Sequence, residues 1–290
     1  MAHRELDSLV RLLDDPDPTV REAVFGRLTE LGTDATVQLR DIVEGKLHSD
    51  QDIHQAAQEA LVELGLRKMI DTLQKVLRAE ESAVTDESPG EFDLEEGAFA
   101  VAMHRYPDMD ITSYRSQLDT MAELLRWRTR DTDIGIEAVR EFRIYLVHQQ
   151  LWKGVSQNKY HDPDNSCLNR VIDRRRGIPI SMSVVWLLLA ERLGLPLYGV
   201  SFPVHFLVRY RNEREDFIVD PYNDGVLVTE EQCKAFLESI GVEFHSAFLE
   251  PVDARHVVVR MMRNLAEIYQ ESNPRLVVGM EEGIRLLAES

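Results

Sequence analysis

Between Gly199 and Val228 the apolar residues begin to alternate: "VHFLVRY", "DFIVD" and "GVLV" are short runs rich in Val, Ile, Phe and Tyr, parted by charged residues or by "NDG". Alternation puts successive side chains on opposite faces of an extended segment, a pattern that no helix can use. The rest of the chain keeps helical spacing. An α+β fold is therefore expected, mainly helical with one small antiparallel sheet late in the chain.

The helical part divides by composition. In "LVRLLDDPDPTVREAVFGRLTELG" the face of Leu6, Leu9, Leu12 and Leu13 breaks at Asp14 to Pro18 and resumes through Val20, Val24, Leu28 and Leu31. Asp17 is placed as an N-cap, Pro18 suits a first helical turn, and Gly32 suits a left-handed stop. This helical pair resembles a HEAT repeat, and residues 1–78 are expected to form a HEAT-like stack in which neighbours bury each other's faces. The acidic stretch 79–93, "AEESAVTDESPGEFD", holds little that can be buried and reads as a linker or exposed loop. Helices follow from about Leu94 to Arg105, then along the face of Tyr114, Leu118, Met121, Leu124 and Leu125, then through "IGIEAVREFRIYLVHQQ". Next come a helix stopped at Gly177, a restart at Pro179, an apolar helix ending at Gly194 and a strand entering at Leu197. The core is bounded at 94–250, and residues 251–290 resemble a tetratricopeptide-like helical pair.

Charge removes some functions. With 33 Lys and Arg against 51 Asp and Glu the net charge is −18, which repels phosphate backbones, so no nucleic-acid partner is expected. No run approaches the roughly 18 apolar residues that span a bilayer, and "MAHRELDSLV" lacks a signal-peptide pattern. A cytoplasmic chain with no membrane partner is expected. Two cysteines, Cys167 and Cys233, exclude a disulfide framework or a zinc site built on several thiolates. His3, His48, His54, His104, His148, His161, His245 and His256 show no metal-ligand spacing, and no glycine-rich phosphate loop is present, so neither metal nor cofactor is expected.

The sheet carries the chemical candidates. If the turn in "RNERE" centres between Asn212 and Glu213, His205 and Asp220 face each other across two strands, with Cβ atoms about 4.5–5.5 Å apart. A carboxylate there fixes the imidazole tautomer and favours its charged form, as the base of a nucleophile requires. The same pair also reads as a buried histidine satisfied by a structural carboxylate. A nucleophile is usually found at a helix start, where the dipole lowers its pKa. The helix beginning "GIPISMSVVW" offers Ser181 and Ser183 but no thiol, while Cys167 opens the preceding helix after the possible caps Asn165 and Ser166. Flanked by Leu168, Cys167 reads first as a small packed side chain. Cys233 lies among carboxylates that raise its pKa and reads as structural. The run Arg174, Arg175 and Arg176 suits a phosphate or carboxylate clamp, or a solvated helix end.

Several motifs occur together and in order: "NSCLN", "RRRGIPIS", "RLGLP", "HFLV" and "DPYN". From about Asp93 to the C-terminus they resemble the SirB-type proteins of the transglutaminase-like superfamily. That resemblance implies a papain-like core, with a cysteine at a helix start and His and Asp on neighbouring strands. By position His205 and Asp220 match, whereas the cysteine's place falls near Pro179 to Ser181, where this chain reads "GIPIS". The expected function is that of a non-catalytic or weakly catalytic transglutaminase-like module, meeting protein partners through its helical repeats. The alternative is a hydrolase or acyl transferase in which Ser181 or Cys167 attacks, His205 serves as base and Asp220 orients it. A third reading sets a small anionic ligand against Arg176, His205 and Tyr222.

Overall fold

The computed structural model describes residues 2–13, 15–47, 50–84, 90–130, 132 and 135–289. Four helices open the chain: α1 Ala2–Arg11, α2 Pro18–Leu31, α3 Thr33–Val43 and α4 Gln51–Ala83. Asp17 caps α2 by accepting from the Thr19 amide, Pro18 stands in its first turn, and Gly32 at φ 58° closes it. The expected break begins at Asp14, which lies outside the described residues, as do His48 and residues 85–89 of the acidic stretch 79–93. The side chain of His3 also lies outside them. The described part of that stretch is helical as far as Ala83, so residue 78 falls inside α4. Leu6, Val10, Val24, Leu28, Leu39, Ile42 and Ala57 make a small core among these helices.

From Leu66 onward α4 enters a second, larger core. Around it lie α5 Leu94–Met103, α6 Ile111–Thr129, α7 Ile136–Arg143, α8 Leu168–Arg174, α9 Pro179–Leu193, α11 Ala254–Tyr269 and α12 Pro274–Glu289. On α6 the expected apolar face is narrower: Leu118 and Leu125 are fully buried, but Leu124 is 42% exposed. After α7 the helix widens into a π-helical stretch, Ile144–Gln149. The central element is α9, whose residues Pro179 to Ala190 are all buried, with Trp186 packed on Phe142. Such an all-round apolar helix requires covering on every side.

One side of α9 is covered by a four-stranded antiparallel sheet in the order β3 Leu197–Val200, β4 Leu207–Arg211, β5 Asp216–Asp220 and β6 Val226–Val228. A separate parallel pair joins β1 Lys153–Gly154 to β2 Arg176–Gly177. The fold is thus α+β, mainly helical with a small antiparallel sheet. Two local expectations are corrected here. The helix before β2 is stopped by Arg175, left-handed at φ 52°, rather than by Gly177. Cys167 itself holds the N-cap position of that helix, while Asn165 belongs to a preceding 3₁₀ turn. No described helix is long and apolar enough to cross a membrane.

Candidate functional site

The sheet does not pair in the expected register. Arg211 faces Asp216 and Val208 faces Val219, which centres the turn between Glu213 and Arg214, one residue later than the sequence suggested. The cause is Asn212, whose side chain accepts the amides of Arg214 and Glu215, both at 2.8 Å, and so draws the turn forward. Continued, that register sets Asp220 opposite Leu207, not His205. The acid–imidazole contact nevertheless forms, because His205 is not in a strand. It sits in the turn before β4, where its amide bonds to Phe202 O at 3.1 Å, and its Nε2 meets Asp220 Oδ2 at 2.9 Å.

That turn carries unusual backbone geometry. Val204, immediately before His205, has φ 55° and is 63% exposed. A β-branched residue in the left-handed region costs on the order of 1–3 kcal/mol, and such residues concentrate at ligand clamps and active sites. Its effect here is to hold the imidazole over the end of β5. Asp220 is held as firmly: Oδ1 accepts the amides of Tyr222 and Asn223, each at 3.1 Å, and Oδ2 accepts Asn223 Nδ2 at 2.7 Å. Burial works to raise the Asp220 pKa, but the hydrogen bond and charge of His205, joined by Asn223, outweigh it and leave the carboxyl below its ordinary range. The sequence presents Asn223 only as part of the "NDG" turn. The signal that marks it is its spacing, three residues after an aspartate and before a glycine.

When Nε2 carries the proton and donates it to Asp220, Nδ1 is left as the basic position of the ring. The Tyr222 ring meets the imidazole edge-on at 5.8 Å between centroids, and its hydroxyl donates to Val155 O at 2.6 Å. These groups open onto a cleft of about 800 Å³, walled by Pro179 of α9, by Cys233 and Phe236 of α10 (Glu230–Ser239), and by Arg260, Asn264 and Glu267 of α11.

Three of the expected residues lie elsewhere. Ser181, fully buried, accepts the Ile178 amide at 3.0 Å and donates to Asn165 O at 2.6 Å, so its single proton is committed to a carbonyl. Cys167 is likewise fully buried, and burial first, then the Asp164 charge, drives its pKa upward. Arg176 faces a different cavity and does not join His205 and Tyr222. What takes the helix-start position on the cleft is Pro179, which has neither nucleophile nor N–H. The one thiol lining the cleft among the described residues is Cys233, 2% exposed and pushed up to about 11, by burial first and then by Asp220 and Glu230. Among the described residues no group of three or more His, Cys, Asp or Glu side chains is arranged to hold a metal ion.

The sequence profile of the transglutaminase-like superfamily matches residues 112–263, just over half of the chain. A "UPF0162 protein" of Xylella fastidiosa (strain 9a5c) is 35% identical over 182 residues, covering 61% of this chain and 64% of that protein. A "UPF0162 protein" of Vibrio cholerae is 31% identical over 157 residues, 52% of this chain and 56% of its own length. "F-box only protein 21" of Homo sapiens is 26% identical over 224 residues, which cover 67% of this chain and 34% of that protein. The match thus spans less than two thirds of each relative's length. No solved structure matches.

Proposed function

This chain belongs to the transglutaminase-like superfamily, and from that membership we propose that it is a SirB-type member without efficient covalent catalysis, serving in the cytoplasm as a protein-interaction or regulatory module. The observation that carries this reading is Pro179 at the cleft end of α9, in the place where a nucleophile would face His205. Nucleophilic catalysis needs an ionisable or base-activated group within hydrogen-bond reach of the imidazole. Ser181 has its proton on a backbone carbonyl, and Cys167 is sealed in the core. Cys233 is held in its neutral thiol form by burial, then by the Asp220 and Glu230 charges, which push it up to about 11.

The His205–Asp220 contact then serves the fold, tying the turn before β4 to the end of β5 and shaping one wall of the cleft. Partner binding falls to the helices of residues 1–78, read as HEAT-like repeats, and to the α11–α12 pair, read as tetratricopeptide-like. An apolar groove of about 470 Å³ between α1 and α2, lined by Leu9, Leu12, Val20, Ala23 and Val24, supports that assignment.

The test is turnover. Purified protein is incubated with a glutamine-containing peptide and a primary amine, and separately with an activated ester, and products are quantified by mass spectrometry. The expected result is a rate at the buffer background that His205→Ala leaves unchanged. Robust amide turnover, abolished in His205→Ala, would restore the hydrolase or acyl-transferase reading.

A further inference from the structure

The arginine run 174–176, which the sequence presents as one clamp, is split by the fold. Arg174 turns inward to Asp162 at 3.0 Å and to Asp164. Arg175 reaches back to Gln150 O at 3.0 Å. Arg176 enters β2, where it pairs with Lys153 of β1 and, among the described residues, donates through Nη1 to Leu151 O and Arg175 O. Cα pairing of Lys153 with Arg176 sets two cations side by side, and Leu151 and Arg175, both non-glycine residues at positive φ, flank the bridge that does so.

These residues open onto a cavity of about 760 Å³ to which Lys159 adds a further cation and Ser156 and Asn158 add polar groups. Its one lining carboxylate, Asp162, is already engaged by Arg174. Among the described residues no carboxylate pairs with Lys153, Lys159 or Arg176. In a chain of net charge −18, this is a local excess of positive charge. Like charges gathered in a concave surface repel one another and are relieved by an anion, and a guanidinium with free N–H groups beside two ammonium groups suits a multiply charged oxyanion.

We propose that this cavity is a binding site for a small multivalent oxyanion, a phosphate or polycarboxylate group, held by Lys153, Lys159 and Arg176. It adjoins the His205 cleft. His161 lines both cavities, and Gly154 lies so close to Tyr222 that a Cβ there would fall 2.5 Å from the ring. An anion bound at β1–β2 therefore bears on the wall that carries Tyr222, whether or not the cleft is catalytic.

The experiment is calorimetric titration of the full chain with inorganic pyrophosphate and, separately, with citrate, at constant ionic strength. Saturable binding to one site is expected, weakened at least tenfold in Lys153→Ala and in Arg176→Gln, and unchanged in Lys75→Ala, which changes an exposed lysine of α4. Pyrophosphate binding without citrate binding assigns the site to phosphate groups, and the reverse assigns it to carboxylates. Lys159→Ala, which alters only an exposed side chain, guards against misfolding of the bridge variants and is expected to show the same weakening. Absence of saturable binding with both probes, or equal affinity in all four variants, overturns the proposal.

Discussion

At the scale of single residues, the acid–imidazole pair was legible and its route was not. The sequence placed His205 and Asp220 near one another through strand pairing, whereas the observed register sets Asp220 opposite Leu207 and the contact is made from the turn before β4, behind a residue in the left-handed region. A turn without a glycine signature leaves register open, and a side chain that captures two amides moves it by one. A turn motif accounts for Asn223 without reference to the Asp220 carboxylate, three residues back in sequence and 2.7 Å from its side-chain amide. Asp220 supplies a prediction with a definite sign. Its carboxyl lies below its ordinary range in the folded chain, so the stability it contributes is fully present above the unfolded carboxylate pKa and is lost as pH falls through the folded value. Asp220→Asn is therefore expected to cost about 1.5–3 kcal/mol near neutral pH, the worth of charged hydrogen bonds to a buried group. Urea midpoints at several pH values check this. The gap between wild type and variant should shrink below about pH 4, and a gap that is constant down to acid pH would show that Asp220 acts by shape rather than by charge.

At the scale of elements, spacing and caps were read well wherever one local rule decided the outcome. Asp17 and Pro18 start α2 because the cap and the fixed φ of proline both act within a single turn. Local rules also missed at α8, which Cys167 caps and Arg175 stops, and other misses occur where tertiary packing decides. Leu124 continues the apolar stripe of α6 yet remains outside, and the π-helical stretch after α7 has no counterpart in periodicity. The α1–α2 groove gives the prediction proper to this scale. Leu12 lines it and is 41% exposed, so Leu12→Asp is expected to change stability by no more than about 0.5 kcal/mol. If that groove receives a protein partner, bait carrying Leu12→Asp should lose, relative to wild type, the proteins captured from native lysate, as read by quantitative mass spectrometry. Identical partner sets with an unchanged melting temperature would remove the groove from the proposed function.

At the scale of the whole molecule, composition spoke to class and was silent on how the parts are joined. The charge balance and the count of two cysteines were visible at once, but no sequence signal shows that one helix serves two cores. Ile53, Ala57 and Ala60 of α4 belong to the small core, and Met69, Leu73 and Val76 to the large one. The seam between them is drawn tight at Gly65, where a Cβ would stand 2.3 Å from His104 O, and is bordered by the Arg40–Asp108 ion pair, the Lys68 bond to Pro107 O and the Arg275–Glu63 pair at 2.7 Å. Gly65→Ala separates two effects of opposite sign. Helix propensity alone favours alanine by about 1 kcal/mol, while overpacking against backbone that cannot rotate away costs about 1–3 kcal/mol. The second effect should prevail, so the variant is expected to unfold at lower denaturant, with a larger radius of gyration in solution scattering as α4 and α5 part. Because the clash lies in the seam and not in the cleft, the His205–Asp220 contact should survive, visible as an unchanged His205 ring resonance. A variant at least as stable as wild type would mean that α4 and α5 are not in close contact at Gly65, and the shared helix would then join the two cores without fixing their arrangement.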